Sequence, residues 1–421
     1  MQTNATQPDQ VSERGSCLVT HTGAAGKKAG SPAPGTFEPR ETPPGTCNVM
    51  VIKANYGRTG GAETLLASLL RHLDKTRLNL SLVKLTHDRA YQLPGLEDAA
   101  ALGIAERHIP WRGYASVSAA LREARACAEA AGIDIVYTHD MRADLLGYAL
   151  NRLTGLPWIS HVHGWLGRTA QMKNRFHEWI DRRLLARAAV VLVGSEHLRS
   201  SVERRCRCQT VRVVPNYVDP ESLAVDASQV RGIREQLNVR VGETVVGTVA
   251  RLHWGKGHHI LLRALARLRP GAPPIQCLIV GEGSYRPYLE RLAEELGIAD
   301  IVTFTGYCTD ITPYLAALDV FVTCSFTESL PVSVLEAMLL GKPVVATDVG
   351  DVARVLDGGK AGVLIRPGRV DDAAQAIAEL LAHPQRRRHL AEKGKQRVLT
   401  HYCVEQAAKR IEELLLATSR K

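Results

Sequence analysis

Long apolar runs are missing from this 421-residue sequence. None approaches the roughly 18–20 consecutive apolar residues of a membrane-crossing helix, which excludes an integral helical membrane protein. Aromatic residues are few, at 5%. They leave few platforms for stacked bases, so a basic nucleic-acid-binding protein is only a remote alternative. Nine scattered cysteines include no Cys-x-x-Cys pair. Cys206-Arg207-Cys208 lacks the partners of a zinc site, no metal is expected, and the odd count suits a reducing compartment. The N-terminus carries Asp9 and Glu13 and has no apolar core segment, unlike a secretory signal. The run Gly23 to Lys28 is not a phosphate loop, because His21 and Lys28 stand where glycine and a hydroxyl residue are required.

What is present is an ordinary globular balance, with 45% apolar and 23% charged residues. The net charge of +10 is uneven: residues 1–45 are neutral, 46–215 carry +9 and 216–421 carry +1. The excess points to an anionic partner of the middle segment. Residues 1–45, rich in Gly, Pro, Thr and Ala, are predicted to be a disordered leader. From Asn48 onward, short apolar strands alternate with helices of 3.6-residue periodicity. The pattern runs through strands near 48–53, 80–85, 133–138, 158–161, 190–194 and 211–214, with helices over 62–73, 118–131 and 143–153 between them. A second series follows Asn216, with strands near 244–250, 275–280, 301–304, 320–323 and 343–347. Alternation of this kind predicts an α/β chain with two doubly wound, mostly parallel sheets. The boundaries are placed at 46–215 and 216–400, and Val404 to Leu416 forms an apolar-faced helix within 401–421 that must cover a surface.

Ligands of such sheets bind beyond the carboxyl ends of the strands, so the loops there carry the chemistry. Arg251 and Lys256 stand five apart across a glycine turn, two cations suited to a diphosphate. Gly281-Glu282-Gly283 is a turn that permits close backbone approach. In Ser325 to Met338, Pro331 suits the first helical position, and the helix N-terminus would attract phosphate. Glu328 and Glu336, eight apart, are placed to hold the hydroxyls of two sugars, a ribose and a hexose.

The run from Val249 to Gly350 resembles the nucleotide-sugar domain of the GT-B glycosyltransferases, in particular the large retaining group called family 4. Its Arg-x4-Lys, Gly-Glu-Gly, Glu-x7-Glu and Gly-Lys-Pro-Val-Val motifs occur here as Arg251 and Lys256, Gly281 to Gly283, Glu328 and Glu336, and Gly341 to Val345. The resemblance implies a GT-B fold of two Rossmann-like domains facing across a cleft, and a retaining transferase acting on a nucleotide-sugar co-substrate, UDP-linked before GDP-linked, without cofactor or metal. It implies that Arg251 and Lys256 bind the diphosphate, Glu336 the ribose, and Glu328 with the backbone of Ser329 and Leu330 the sugar. Tyr307 and Cys308 would receive the base. In the first half, Gly60 and Gly61 match the glycine loop that approaches the donor phosphates. Ser160 to Gly164 matches a His-Gly segment that puts His163 near the reacting sugar, with His139 and Asp140 toward the acceptor.

Two departures from the pattern are Tyr217 in place of glycine in the interdomain turn, and Asp351 and Arg354 in place of a Gly-x-x-Glu sequence. The basic stretch 168–187, with Phe176, Trp179, Ile180, Leu184 and Leu185 at helical spacing, reads as a core-packed helix or as one lying on an anionic membrane. The expected acceptor is a glycan or polyprenyl-linked glycan of polysaccharide assembly, and the expected location is the cytoplasm, at the inner face of the membrane. A GT-B nucleotide-sugar epimerase is the alternative.

Overall fold

The computed structural model describes residues 45–54, 60–86, 99–164, 172–208, 210–240, 242–271 and 273–419, with the side chains of 172–177 left aside. The expected leader and residues 165–171 lie outside the described residues.

Two parallel sheets organise the chain. The first contains β1 (Cys47–Ala54), β2 (Leu78–Thr86), β3 (Ala105–Pro110), β4 (Ile135–Thr138), β5 (Trp158–Val162), β6 (Val190–Val193) and β7 (Val211–Val213) in the order β3-β2-β1-β4-β5-β6-β7. The second contains β8 (Thr244–Val249), β9 (Ile275–Val280), β10 (Val302–Gly306), β11 (Val320–Thr323), β12 (Val344–Thr347) and β13 (Val363–Ile365) in the order β10-β9-β8-β11-β12-β13. The strands are near-continuous apolar runs because helices cover both faces. Strand order reverses beside β1 in one sheet and beside β8 in the other. These two switch points fix where a ligand crevice opens: past Ala54 and Thr138 on one side, past Val249 and Thr323 on the other.

Local chemistry sets the helices that frame the crevice. Helix Gly61–His72 buries Leu65, Leu66, Leu69 and Leu70, and Glu63 reaches back to the amide of Gly60 at 3.0 Å. Helix Met141–Thr154 is capped by Asp140, which accepts from the amides of Arg142 and Ala143, and it ends at Gly155 in the left-handed region. Helix Val404–Ser419 puts Val404, Ala407, Ala408, Ile411 and Leu415 into the core of the first sheet, and Arg77 pairs with Glu412. Tyr217, the residue in place of a turn glycine, is buried in the same core and donates to the carbonyl of Leu65 at 3.0 Å.

Elements with no counterpart in the sequence expectation include β3, β13 and the helices Glu196–Arg205 and Pro384–His401. Their apolar signal is thin. β3 reads Ala-Glu-Arg-His-Ile-Pro at a sheet edge, and the two helices bury only Leu198 and Val202, and Leu390, Gly394 and Val398. Two expectations need correction. Pro331 is the extended cap residue and Val332 starts the helix Val332–Leu339. In helix Met172–Leu185, the face turned inward carries the acids Glu178 and Asp181, while Trp179 is 48% exposed beneath the guanidinium of Arg183 at 3.9 Å. The side chains of Phe176 and Arg168 lie outside the described residues. Among the described residues, no helix is long and apolar enough to cross a membrane.

Candidate active site

The first-sheet wall of the crevice is a closed polar network. Lys53, at the end of β1, is buried and reaches Glu63 Oε1 at 3.0 Å, Asp140 Oδ2 at 3.4 Å and the carbonyl of His139 at 3.3 Å. Burial opposes its charge, but Asp140 and Glu63 outweigh burial and hold the ammonium above its ordinary value. Asp140 also accepts from the amide of Ala54 at 2.8 Å. Together with its capping bonds, this commits its carboxylate to the scaffold.

Directly past β4 and β5, three imidazoles converge. His161 and His163 stack at 4.4 Å between centroids, and His139 Nδ1 lies 3.2 Å from His163 Nε2. Alternation along β5 explains the pair: residues two apart point the same way. Tyr137 Oη bonds His161 Nδ1 at 2.8 Å. Burial, then neighbouring imidazoles and Lys53, push His139 and His163 well below the usual histidine value, and burial brings His161 to about 4. All three are neutral at pH 7. Sequence reading picked out His139 and His163 but not His161 or Lys53; the His-x-His spacing at a strand end was the available signal for His161.

The second-sheet wall is built differently. Arg251 is exposed, and Lys256, in a short turn Trp254–Lys256, meets Glu328 Oε1 at 2.7 Å. Ser325 Oγ donates to the same oxygen at 2.7 Å. Glu336 is buried in helix Val332–Leu339, and desolvation raises its carboxyl to about 7. The glycines here approach protein backbone. A β-carbon on Gly281 or Gly283 would strike the carbonyls of Ala250 and Leu252, and Leu252 N donates to Glu282 O at 2.9 Å. The Gly-Glu-Gly turn thus fixes the loop that carries Arg251. Tyr307 is 38% exposed and Cys308 buried beside it. Trp254 stacks on Phe326 at 4.7 Å, an exposed aromatic step that the sequence reading missed because its two residues are 72 positions apart.

The walls meet at the Glu328–Leu330 loop. Ser329 Oγ lies 2.5 Å from Ser195 Oγ, and Asn216 Nδ2 donates to Leu330 O at 2.7 Å. Asp351 accepts from the amides of Glu196 (2.8 Å) and His197 (3.0 Å), capping a first-wall helix from the second wall, and its own amide donates to Ser329 O. Arg354 stands 4.0 Å from Glu196. Gly61, at the start of helix Gly61–His72, faces Val332, at the start of helix Val332–Leu339. Two helix N-termini therefore converge beside Lys256 and Glu328, where free amides and aligned dipoles favour an anion.

Comparison with known proteins agrees with this geometry. Residues 229–397 match the profile described as glycosyl transferases group 1, and residues 59–222 match glycosyltransferase family 4. A D-inositol 3-phosphate glycosyltransferase of Corynebacterium urealyticum is 30% identical over 304 residues, covering 67% of this chain and 70% of the relative. The chain belongs to the group 1, family 4-like glycosyltransferases of GT-B architecture. An alpha-D-kanosaminyltransferase of Streptomyces kanamyceticus is 28% identical, covering 58% of this chain, and the match spans 66% of that relative's length. Among solved structures, Anabaena HepE in complex with UDP-glucose superposes with a TM-score of 0.75 at 23% identity, covering 88% of this chain and 99% of that one. WaaG, a glycosyltransferase of lipopolysaccharide biosynthesis, superposes with a TM-score of 0.67 at 14% identity, covering 87% and 99%.

Proposed function

We propose that this protein transfers a sugar, with retention, from a UDP-sugar to a hydroxyl of a glycan or lipid-linked glycan. The observation that carries the reading is the pair of helix N-termini, Gly61 against Val332, converging beside Lys256 and Glu328. A diphosphate placed there meets two dipoles and Lys256, takes Arg251 as its second cation, and the same groups stabilise it as it leaves. Glu336 holds the ribose hydroxyls, and Glu328, oriented by Lys256 and Ser325, holds the sugar. The backbone near Tyr307 and Cys308 receives the base. His163 lies at the reacting carbon's sugar hydroxyls, and His139 faces the acceptor. Asp140 acts through position, fixing Lys53, which in turn donates to the carbonyl of His139. The bond from the anomeric carbon to the diphosphate oxygen breaks, the acceptor oxygen forms the new bond on the same face, and its proton passes to the departing phosphate. In this reading, Arg251, Lys256 and the helix termini supply the charge stabilisation that a metal supplies elsewhere.

A UDP-glucose complex of the HepE fold neighbour supports the donor class, and a lipopolysaccharide core glycosyltransferase relative of Rhizobium meliloti, 32% identical over 46% of this chain, supports a glycan acceptor. The outward Trp179–Arg183 stack supports attachment at an anionic membrane surface. The test is a thermal-shift series with UDP, GDP and ADP. Ligand at 100 times Kd stabilises by about 2.7 kcal/mol. Stabilisation by UDP, lost in Arg251→Ala and Glu336→Ala, is expected; stabilisation by GDP or ADP alone overturns the donor assignment, and no shift with any of them overturns the site.

A further inference from the structure

We propose that His139, His161 and His163 form a three-imidazole site for a divalent transition metal of the zinc class, and that its occupancy takes His163 away from the sugar. One ring nitrogen from each histidine lies within 4.8 Å of the other two. His139 Nδ1 and His163 Nε2 are already 3.2 Å apart. Zinc–nitrogen bonds of about 2.0–2.1 Å place tetrahedral ligands about 3.3 Å from one another, so two of the three stand at ligand spacing and the third ring has only to close in.

Two further observations point to a ligand here. First, Nε2 of His161 has no hydrogen-bond partner among the described residues, although the side chain is about 1% exposed. Leaving a buried ring nitrogen unpaired is costly without something to bind it. Second, the outer support that orients a metal-binding imidazole is in place. Tyr137 Oη holds His161 Nδ1 at 2.8 Å, which fixes the ring and leaves Nε2 as its ligand atom. Neutral imidazoles select zinc, copper, cobalt or nickel over magnesium or calcium.

Metal binding has a defined proton cost. In the metal-free chain, one of the nitrogens shared by His139 and His163 carries the hydrogen of that bond. Coordination needs a lone pair on both, so that hydrogen moves to the other nitrogen of its ring through solvent. One N–H bond breaks and one forms in that ring, the His139–His163 hydrogen bond is replaced by two bonds to the metal, and nothing is oxidised or reduced. The first half of the proposal stands on the histidines alone; only the second half rests on the transferase reading.

The experiment uses the full chain, free of any histidine tag. Equilibrium dialysis counts bound Zn2+, and the visible spectrum of added Co2+ reports tetrahedral nitrogen coordination. One metal per chain is expected, with affinity falling at least tenfold in His139→Gln, in His161→Gln and in His163→Gln, and falling less in Tyr137→Phe. Far-ultraviolet circular dichroism and urea midpoints show whether each variant folds; His163, half-buried, keeps the test decisive if a buried variant does not. Cys206→Ser/Cys208→Ser and His72→Ala variants, which alter the other sulfur and histidine–carboxylate groupings, are expected to keep the metal. Metal retained at full affinity in all three histidine variants, or no metal bound, overturns the site. In the second arm, zinc stops sugar transfer and a chelator restores it. Zinc held by these histidines that leaves transfer unchanged overturns the second half alone.

Discussion

The two walls of the crevice solve the problem of polar groups at strand ends in opposite ways. On the first-sheet wall, the charged groups are spent on one another and on backbone: Lys53 on Glu63 and Asp140, Asp140 on three amides, with Tyr137 on His161. Burial there keeps the imidazoles neutral. On the second-sheet wall, Arg251 stays exposed, Lys256 and Glu328 form a pair at the rim, and Glu336 is a lone buried carboxyl held near 7. One wall is a pre-paid scaffold with a narrow neutral face; the other keeps charge for a ligand. Substitutions on the first wall should therefore read out mainly in stability, and those on the second mainly in donor binding.

The largest effect expected from that contrast is on the first wall. Lys53→Met strands Glu63 and Asp140 together in a buried place, and removing one member of a buried ion pair costs about 3–5 kcal/mol. Urea unfolding should show that loss, while UDP affinity of the folded fraction changes little. On the second wall, Arg251→Ala should lower kcat/KM by about 10²–10³-fold, the cost of removing one preorganised charge stabiliser, with the urea midpoint unchanged.

At the junction, Asp351→Ala removes two cap bonds that join the walls. Cap losses run about 0.5–2 kcal/mol. The variant should lose that much stability and show a larger radius of gyration by small-angle scattering; an unchanged radius would mean that Asp351 does not hold the walls together.

The smallest effect is a pH dependence. Glu336 has its carboxyl raised to about 7 by burial, above its unfolded value. The folded chain therefore holds a proton that the unfolded chain has lost, and stability falls as pH rises from the ordinary carboxyl range through about 7. Ribose hydroxyls donate to the charged form, so UDP-sugar affinity should rise with pH between 6 and 8, by up to about tenfold. Glu336→Gln should flatten both curves. A wild-type affinity that does not change over this range would remove Glu336 from the ribose site.

Much of this comparison was legible in the sequence, for identifiable reasons. Apolar runs with strand length and helices with leucine spacing marked both sheets, and the second-wall motifs are contiguous enough to be read in a line. The first wall was less legible because its network is made across the fold: Lys53 meets Asp140 87 positions away. His161 hid inside a strand, since a lone buried histidine carries no sign of its partners. The thinly apolar helix Glu196–Arg205 was missed, and with it the reason for Asp351, whose partners are amides and leave no mark in sequence. The basic helix was legible in part: Leu184 and Leu185 pack on the core, while the buried acids Glu178 and Asp181 leave no mark in the periodicity of apolar residues.

The most direct test of the two-wall account is calorimetric titration of UDP into the wild-type chain, Arg251→Ala and His163→Ala. The account predicts that UDP binding is lost in Arg251→Ala and kept in His163→Ala, since Arg251 answers the diphosphate while His163 faces only the sugar. Binding kept in Arg251→Ala and lost in His163→Ala would contradict it.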